Sequence, residues 1–200
     1  MHIILIRHGE SEADLLDVHE GRADFELTER GHRQAEAMAE YVTEHYSLTK
    51  LYASPLKRAA QTARHLSERS GLPISFEPDL MEFNNGLLAG LSREVADLRY
   101  PEVKNLPIDQ AVYGQESKVE FRNRAEKALN RVLAESGPDS VVAIVSHGGM
   151  INQLYGVLFH IPIGEKSFFC TEDTGIHIWK ITQRGNYVLE ANLHKHVQGI

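Results

Sequence analysis

Two unbroken apolar runs, Ile3–Ile6 and Val141–Val145, stand out from the alternating hydrophobic and polar positions of this chain. Short, continuous and β-branched, they predict strands buried on both faces, as in a parallel sheet covered by helices. Elsewhere apolar residues recur at helical spacing. After a loop of about 20 residues, Thr28 reads as the cap of a helix carrying Ala35, Met38, Ala39 and Val42 on one stripe. Leu51-Tyr52-Ala53 predicts a short strand. Ser54 as N-cap and Pro55 at the first helical position start a helix through Ala59, Ala63 and Leu66 to Gly71, and Ile74-Ser75-Phe76 predicts another strand. Ser117 and Glu120 form a capping box ahead of the inward residues Phe121, Ala125, Ala128, Leu129 and Val132. Ile151, Leu154, Tyr155 and Leu158 mark a helix after the second run. Thr174–Thr182 and Tyr187–Leu193 predict a hairpin around Arg184-Gly185-Asn186.

Strands alternating with helices define an α/β chain: three layers, α/β/α, around a mostly parallel central sheet. Without a repeat, a low-complexity tract or a second composition, residues 1–200 read as one domain. The stretch around 84–116 breaks the rhythm with Asn84-Asn85-Gly86, Pro101, Pro107 and Gly114, and holds one short helix near Arg93–Arg99. It reads as an inserted lid or binding loop, with a plain surface excursion as the evenly weighted alternative. Arg93, Arg99, Tyr100, Lys104 and Tyr113 within it are candidates for substrate specificity.

The net charge of -7 argues against a general binder of nucleic acid or anionic membranes. An anionic substrate therefore needs a local focus of Arg and His. Cys170 is the single cysteine, so no internal disulfide forms. With an apolar start too short for a signal or membrane segment, a cytoplasmic location is expected. A homo-oligomer is compatible with the sequence.

Each apolar run ends in a histidine followed by glycine, within Arg7-His8-Gly9-Glu10 and Ser146-His147-Gly148-Gly149. In open α/β sheets ligands sit outside the carboxyl ends of the strands, so both histidines face one crevice. Glycine beside each lets a ligand approach the backbone. Lys57 and Arg58 fall near the first turn of a helix, where the dipole disfavours cations. A solvated basic pair there costs a few tenths of a kcal/mol. The alternative is that Arg58, backed by the helix N-terminus, faces a bound phosphate with its guanidinium fork. Arg7, His8 and His147 on the same sheet edge favour that alternative. His32, His45 and His65 read as surface residues, His177 as packing, and His194 and His196 as an exposed pair. Neither an HExxH zinc motif nor a Gly-x-Ser-x-Gly elbow occurs, which leaves zinc and serine hydrolases without support.

Six blocks in order carry a resemblance: Arg7-His8-Gly9-Glu10; Gly21-Arg22-x-Asp24-x-x-Leu27-Thr28-x-x-Gly31; Ser54-Pro55-Leu56-Lys57-Arg58-Ala59-x-Gln61-Thr62-Ala63; Glu82-x-x-x-Gly86-x-x-x-Gly90; Gly114-x-Glu116-Ser117; and Ser146-His147-Gly148-Gly149. The series resembles the histidine phosphatase superfamily, in the branch of cofactor-dependent phosphoglycerate mutases and related phosphatases, and implies a phosphoglycerate mutase-like fold. The resemblance implies that His8 is the nucleophile, forming a phosphohistidine, with its other ring nitrogen donating to backbone. It implies that Arg7, Arg58 and His147 hold the phosphoryl oxygens and that Glu82 protonates the leaving oxygen, then activates water. Gly9, Asp14, Gly21, Arg22 and Gly148 complete the expected substrate-binding set. No metal and no cofactor are expected.

Two departures stand in this chain. Mutases carry Trp-Asn where Ala13-Asp14 stands here, so a phosphate donor is replaced by a carboxylate; a pairing of Asp14 with Arg22 is the expectation. Ala89 precedes Gly90 where many relatives are polar, which with Leu87, Leu88 and Leu91 implies an apolar rim. The implied function is a metal-independent phosphomonoesterase acting on a small phosphorylated metabolite. A phosphoglycerate mutase is the alternative, and a non-catalytic phospho-ligand binding module a third.

Overall fold

Alternate residues of the first apolar run are buried against different helices, which explains why the run is continuous. In the computed structural model, which describes residues 1–165 and 167–200, β1 (His2–Arg7) sends Ile3 and Leu5 to one core and Ile4 and Ile6 to another. All four are fully buried. β4 (Val141–Ser146) does the same with Val142 and Ile144 against Ala143 and Val145. The six-stranded sheet runs β3-β2-β4-β1-β5-β6, with β2 (Lys50–Ala53) and β3 (Ile74–Phe76) parallel to β4 and β1. β5 (Ile176–Thr182) lies antiparallel to β1, and β6 (Gly185–Leu193) antiparallel to β5.

Helices α2 (Glu29–His45) and α3 (Lys57–Ser70) cover one face through Met38, Ala39, Val42, Ala59, Ala63 and Leu66. Helices α5 (Lys118–Ala134) and α6 (Gly148–Leu158) cover the other through Phe121, Ala125, Leu129, Met150, Ile151 and Leu154. The expected three layers and mostly parallel sheet are therefore present. Neighbouring strands β1 and β4 send their following helices, α2 and α6, to opposite faces. That divergence is a topological switch point and opens a crevice at their carboxyl ends. Among the described residues no helix is long and apolar enough to cross a membrane.

Local chemistry sets the boundaries. Thr28 caps α2, its side chain accepting from Gly31 N at 2.9 Å. Ser117 and Glu120 exchange the two bonds of a capping box on α5. Helix α3 begins at Lys57 rather than Pro55, because Ser54 is drawn elsewhere (below) and Leu56 stays extended. The hairpin turn is tighter than expected: Gly185 and Asn186 belong to β6, and Thr182 Oγ1 closes the turn by accepting from Arg184 N and donating to Gly185 O. The loop after β1 contains a short helix unforeseen in the sequence, α1 (Glu12–Leu16).

The 84–116 excursion is pinned at its base, where Asn84 N donates to Glu116 Oε1 at 2.6 Å and Glu116 N to Asn84 O at 2.9 Å. It carries α4 (Arg93–Arg99) and lies on the α1 loop through His19 N to Leu91 O and Gly90 N to His19 O. Arg93 binds Asp17, and Tyr100 packs on Tyr113, whose hydroxyl donates to Pro101 O. Those three specificity candidates make contacts within the excursion and between it and the α1 loop.

Candidate active site

His8 follows the last residue of β1 and is 2% exposed. Its Nδ1 sits 2.8 Å from Gly9 O and its Nε2 3.2 Å from Arg58 Nε. An arginine N–H only donates, so Nε2 is the acceptor and Nδ1 carries the ring proton, which it gives to Gly9 O. Burial first, then the charges of Arg58 and Arg7, hold the imidazole well below its ordinary pKa. The ring is a neutral base whose Nε2 lone pair takes the Arg58 Nε–H.

His147 follows β4 and is fully buried, its ring centroid 5.1 Å from that of His8. Nε2 lies 2.8 Å from Ser54 Oγ, and Nδ1 has no hydrogen-bond partner among the described residues. Burial, followed by the charge of Arg58, keeps this ring neutral as well. Ser54 was expected to cap α3. Its hydroxyl is instead shared between His147 and the N–H of Leu56 at 3.3 Å, so the first turn of α3 slides two residues along the chain.

Arg58, the second residue of α3, is fully buried. Nη1 and Nη2 donate to Ala23 O at 3.1 Å and Gly21 O at 2.8 Å. Gly21 earns its place by conformation: its φ is +46°, and a Cβ there would stand 2.0 Å from Asn85 Oδ1. Its neighbour Lys57 is balanced by Asp24 on its N–H and Glu26 on its ammonium. The cation of the pair that turns inward is Arg58.

Arg7 donates from Nη1 to Thr171 O at 2.9 Å, and its Nη2 lies 3.2 Å from Asp173. Gly148 opens α6 beside the Arg7 stem. Gly9 has a structural reason of its own. Its N–H is bound to Thr62 Oγ1, and a Cβ would fall 2.5 Å from Gly31 O, so the packing of helix α2 demands the glycine.

Glu82 reaches the cup from the segment after β3. Its Oε1 accepts from Phe83 N at 2.8 Å and Oε2 from Gly149 N at 2.9 Å, in the first turn of α6. Arg124 of α5 clamps the segment, donating to the carbonyls of Asp79, Met81 and Glu82 while pairing with Glu116 at 2.7 Å. Ser146 Oγ adds a bond to Leu80 O. Arg58 feels the Glu82 carboxylate, so acid and cation share one site.

The expected pairing of Asp14 with Arg22 does not occur. Asp14 Oδ2 accepts from Ser11 N at 2.8 Å at the start of α1 and lies 3.0 Å from Ser11 Oγ, and its nearest cation is Arg7 at 3.9 Å. Arg22 lies instead beside Glu82 O and Glu116. The short helix α1, invisible in the sequence, is what draws Asp14 away. The pair His194 and His196 is half-buried rather than exposed: His194 meets Glu172 and Asp173 O, and His196 meets Thr174 with a pKa lowered to about 4. His32 and His65, read as separate surface residues, meet at 3.1 Å. His177 is packed as expected, bridging Tyr155 and Thr171.

Several residues of the site escaped the sequence reading: Glu20, Gly149, Arg124, Thr171 and Asp173. Gly149 had a signal, being the second glycine of Ser-His-Gly-Gly. A Cβ on it would stand 2.4 Å from Glu82 Oε1.

The chain is similar to known proteins in sequence and fold. The sequence model of the histidine phosphatase superfamily (branch 1) matches residues 3–194. Phosphoserine phosphatase 1 of Hydrogenobacter thermophilus is 28% identical over 199 residues, covering 98% of this chain and 93% of its own. A probable phosphoglycerate mutase of Proteus mirabilis is 32% identical over 169 residues, 81% of this chain and 76% of that one. The crystal structure of a putative alpha-ribazole-5'-P phosphatase from Escherichia coli superposes with a TM-score of 0.88 at 25% identity, covering 97% of both chains. A buried neutral imidazole between two arginines, at the switch point of this sheet and inside a match of this extent, assigns the chain to the histidine phosphatase superfamily, branch 1.

Proposed function

We propose that this histidine phosphatase, a phosphoric monoester hydrolase, cleaves small phosphorylated metabolites through a phosphohistidine on His8. The observation that carries the reading is the fixed tautomer of His8, with Nδ1–H on Gly9 O and Nε2 bare toward Arg58. A nucleophilic imidazole needs its attacking nitrogen unprotonated without help from a second base, and burial among cations supplies that condition.

In the first step His8 Nε2 bonds to phosphorus as the bond to the leaving oxygen breaks, and Glu82 gives that oxygen a proton. In the second, water attacks phosphorus, Glu82 takes the proton back, and the phosphorus–nitrogen bond breaks. Arg7 and Arg58 neutralise the charge spread over the equatorial oxygens. With the Ser54 hydroxyl donating to Nε2, the His147 proton resides on Nδ1, the buried atom without a protein partner, and is free to meet a phosphoryl oxygen. The excursion at 84–116, tied down at Asn84 and Glu116, favours a compact substrate. The phosphatase names of the full-length relative and the structural neighbour support water as the acceptor.

The test is a denaturing quench during turnover of a labelled phosphomonoester, followed by mapping of the label. Acid-labile phosphate on His8, and no turnover by His8→Ala, are expected. Retained turnover in His8→Ala removes the covalent route. Feeding 3-phosphoglycerate and finding 2-phosphoglycerate in place of free phosphate would replace hydrolysis by transfer.

A further inference from the structure

Glu20 is a half-buried ionisable group to which the chemistry above gives no part. It enters the cup from the loop between α1 and α2. Its Oε1 lies 3.1 Å from Arg58 Nε and accepts from Ser11 Oγ, while its Oε2 lies 3.8 Å from His8 Nε2. Attack by His8 requires phosphorus about 3–3.5 Å from Nε2 in a near-attack geometry. The phosphoryl oxygens of such a group fall where the Glu20 carboxylate now sits. Carboxylate and phosphate also satisfy a guanidinium in the same way, through paired oxygens. With one N–H of Nη1 and one of Nη2 given to Ala23 O and Gly21 O, the Nε of Arg58 is the edge on which nucleophile and carboxylate meet.

Resting on the reading of this cup as a phosphate site, we propose that Glu20 is an internal competitor for the phosphoryl seat, and that a phosphate dianion enters only as the Glu20 carboxyl takes up a proton. The groups facing Glu20 are Arg7 and His8 from the end of β1, Ser11 and Asp14 from α1 and its cap, and Arg58 from α3. Burial outweighs Arg58, Ser11 and Arg7 and pushes this carboxyl above its ordinary value, with Asp14 adding to the rise. His8 and His147 are neutral and held far below their usual range, so the proton goes to Glu20 and not to them. Once protonated, Glu20 changes from a repelling acceptor into an O–H donor to a phosphoryl oxygen. The arrangement makes the site more receptive on the acid side and speeds phosphate loss on the alkaline side.

Sulfate, a tetrahedral anion suited to such sites, is the probe, because its charge does not change over the range studied. Calorimetric titration at a series of pH values, in two buffers of different ionisation enthalpy, gives affinity and proton uptake for wild type, Glu20→Gln and Glu20→Ala. Wild type is expected to lose about tenfold in affinity per pH unit above the Glu20 titration, with close to one proton taken up. Both variants are expected to bind with a profile flat to about twofold and more tightly at high pH; two variants guard against local collapse in either one. A flat wild-type profile, or the same slope and proton uptake in both variants, overturns the proposal. p-Nitrophenyl phosphate turnover is measured on the same samples. Turnover with coinciding sulfate profiles sinks the coupling and leaves the phosphatase reading standing. Differing profiles without turnover by wild type at any pH do the reverse.

Discussion

Gly149→Ala isolates the leaving-group proton from the rest of the chemistry. The added Cβ would lie 2.4 Å from Glu82 Oε1 and 3.0 Å from Cδ, and nothing else approaches as closely. Because the obstacle is the end of a flexible side chain, the backbone stays and the carboxylate moves. The bond from Gly149 N to Glu82 Oε2 is then lost. Alanine in place of glycine within a helix interior is worth up to about 1 kcal/mol, and in this first turn it is set against the lost Glu82 bond, so Tm should change little. General acid catalysis contributes about 10²–10⁴ in rate. An alkyl phosphate, whose leaving group depends on the proton, should slow by that factor. p-Nitrophenyl phosphate, whose leaving group needs little protonation, should slow by less than about tenfold. Steady-state kcat on both substrates, with Tm alongside, makes the comparison. The double variant with Glu82→Gln should be no slower on the alkyl phosphate than the worse single, since both remove one function. Equal slowing of the two substrates, or an unaffected alkyl phosphate, would refute the assignment of Glu82 and the role of the glycine together.

Asp14→Asn keeps an acceptor for Ser11 and removes a charge 3.9 Å from Arg7. An exposed pair of this kind is worth about 0.2–1 kcal/mol, so phosphate inhibition should tighten by no more than about fivefold, as read from competitive constants; unchanged inhibition denies Asp14 any influence on the cup. Arg124→Lys should lower kcat on alkyl phosphates more than on p-nitrophenyl phosphate, because one ammonium cannot span three carbonyls and Glu116; an equal loss on both assigns Arg124 to stability alone. His8, His147 and His177 are neutral in the folded chain with depressed pKa values, that of His177 about 4. The unfolded chain binds their protons first as pH falls below the ordinary value near 6.5, so stability present above that pH is lost on acidification. The loss is about 1.4 kcal/mol per pH unit for each fully buried ring, and urea midpoints at pH 7, 6 and 5 should fall accordingly. Glu20 and Asp173, with raised values, act in the opposite sense. A midpoint indifferent to pH in a Glu20→Gln, Asp173→Asn variant, which lacks those opposing carboxyls, would show that these rings take up protons as readily in the folded protein as in the unfolded chain.

The fold was legible because its signals are local. A β-branched run such as Ile3–Ile6 tells of burial on both faces by itself, and Thr28 or Ser117 marks a helix start within four residues. The errors came where a tertiary contact outcompeted a local preference. Ser54-Pro55 is a good helix start in isolation, yet the buried Nε2 of His147 claims the Ser54 hydroxyl. The turn residues Gly185-Asn186 were drawn into β6 because Thr182 Oγ1 supplies the bonds of a shorter turn. Helix α1 has too few residues for a period to show.

The site divides along the same line. His8, Arg58 and His147 could be found because a strand end or a helix start fixes where each side chain begins. The groups that set their chemistry sit on loops and act through backbone atoms: Gly21 O and Ala23 O aim Arg58, Gly9 O chooses the His8 tautomer, and Gly149 N holds Glu82. A carbonyl or an N–H carries no residue identity, so no pattern of letters announces it. Glycines are the exception, and Gly21 and Gly149 each mark a place where a Cβ would strike a neighbouring side chain, Asn85 for one and Glu82 for the other. Glu20 lies beyond even that signal. Next to His19 in an irregular loop it resembles any solvated carboxylate, and only the fold turns it onto Arg58. In a site whose cations were foreseeable from the sequence, the charge that opposes them was not, and it is that charge which sets when phosphate can enter.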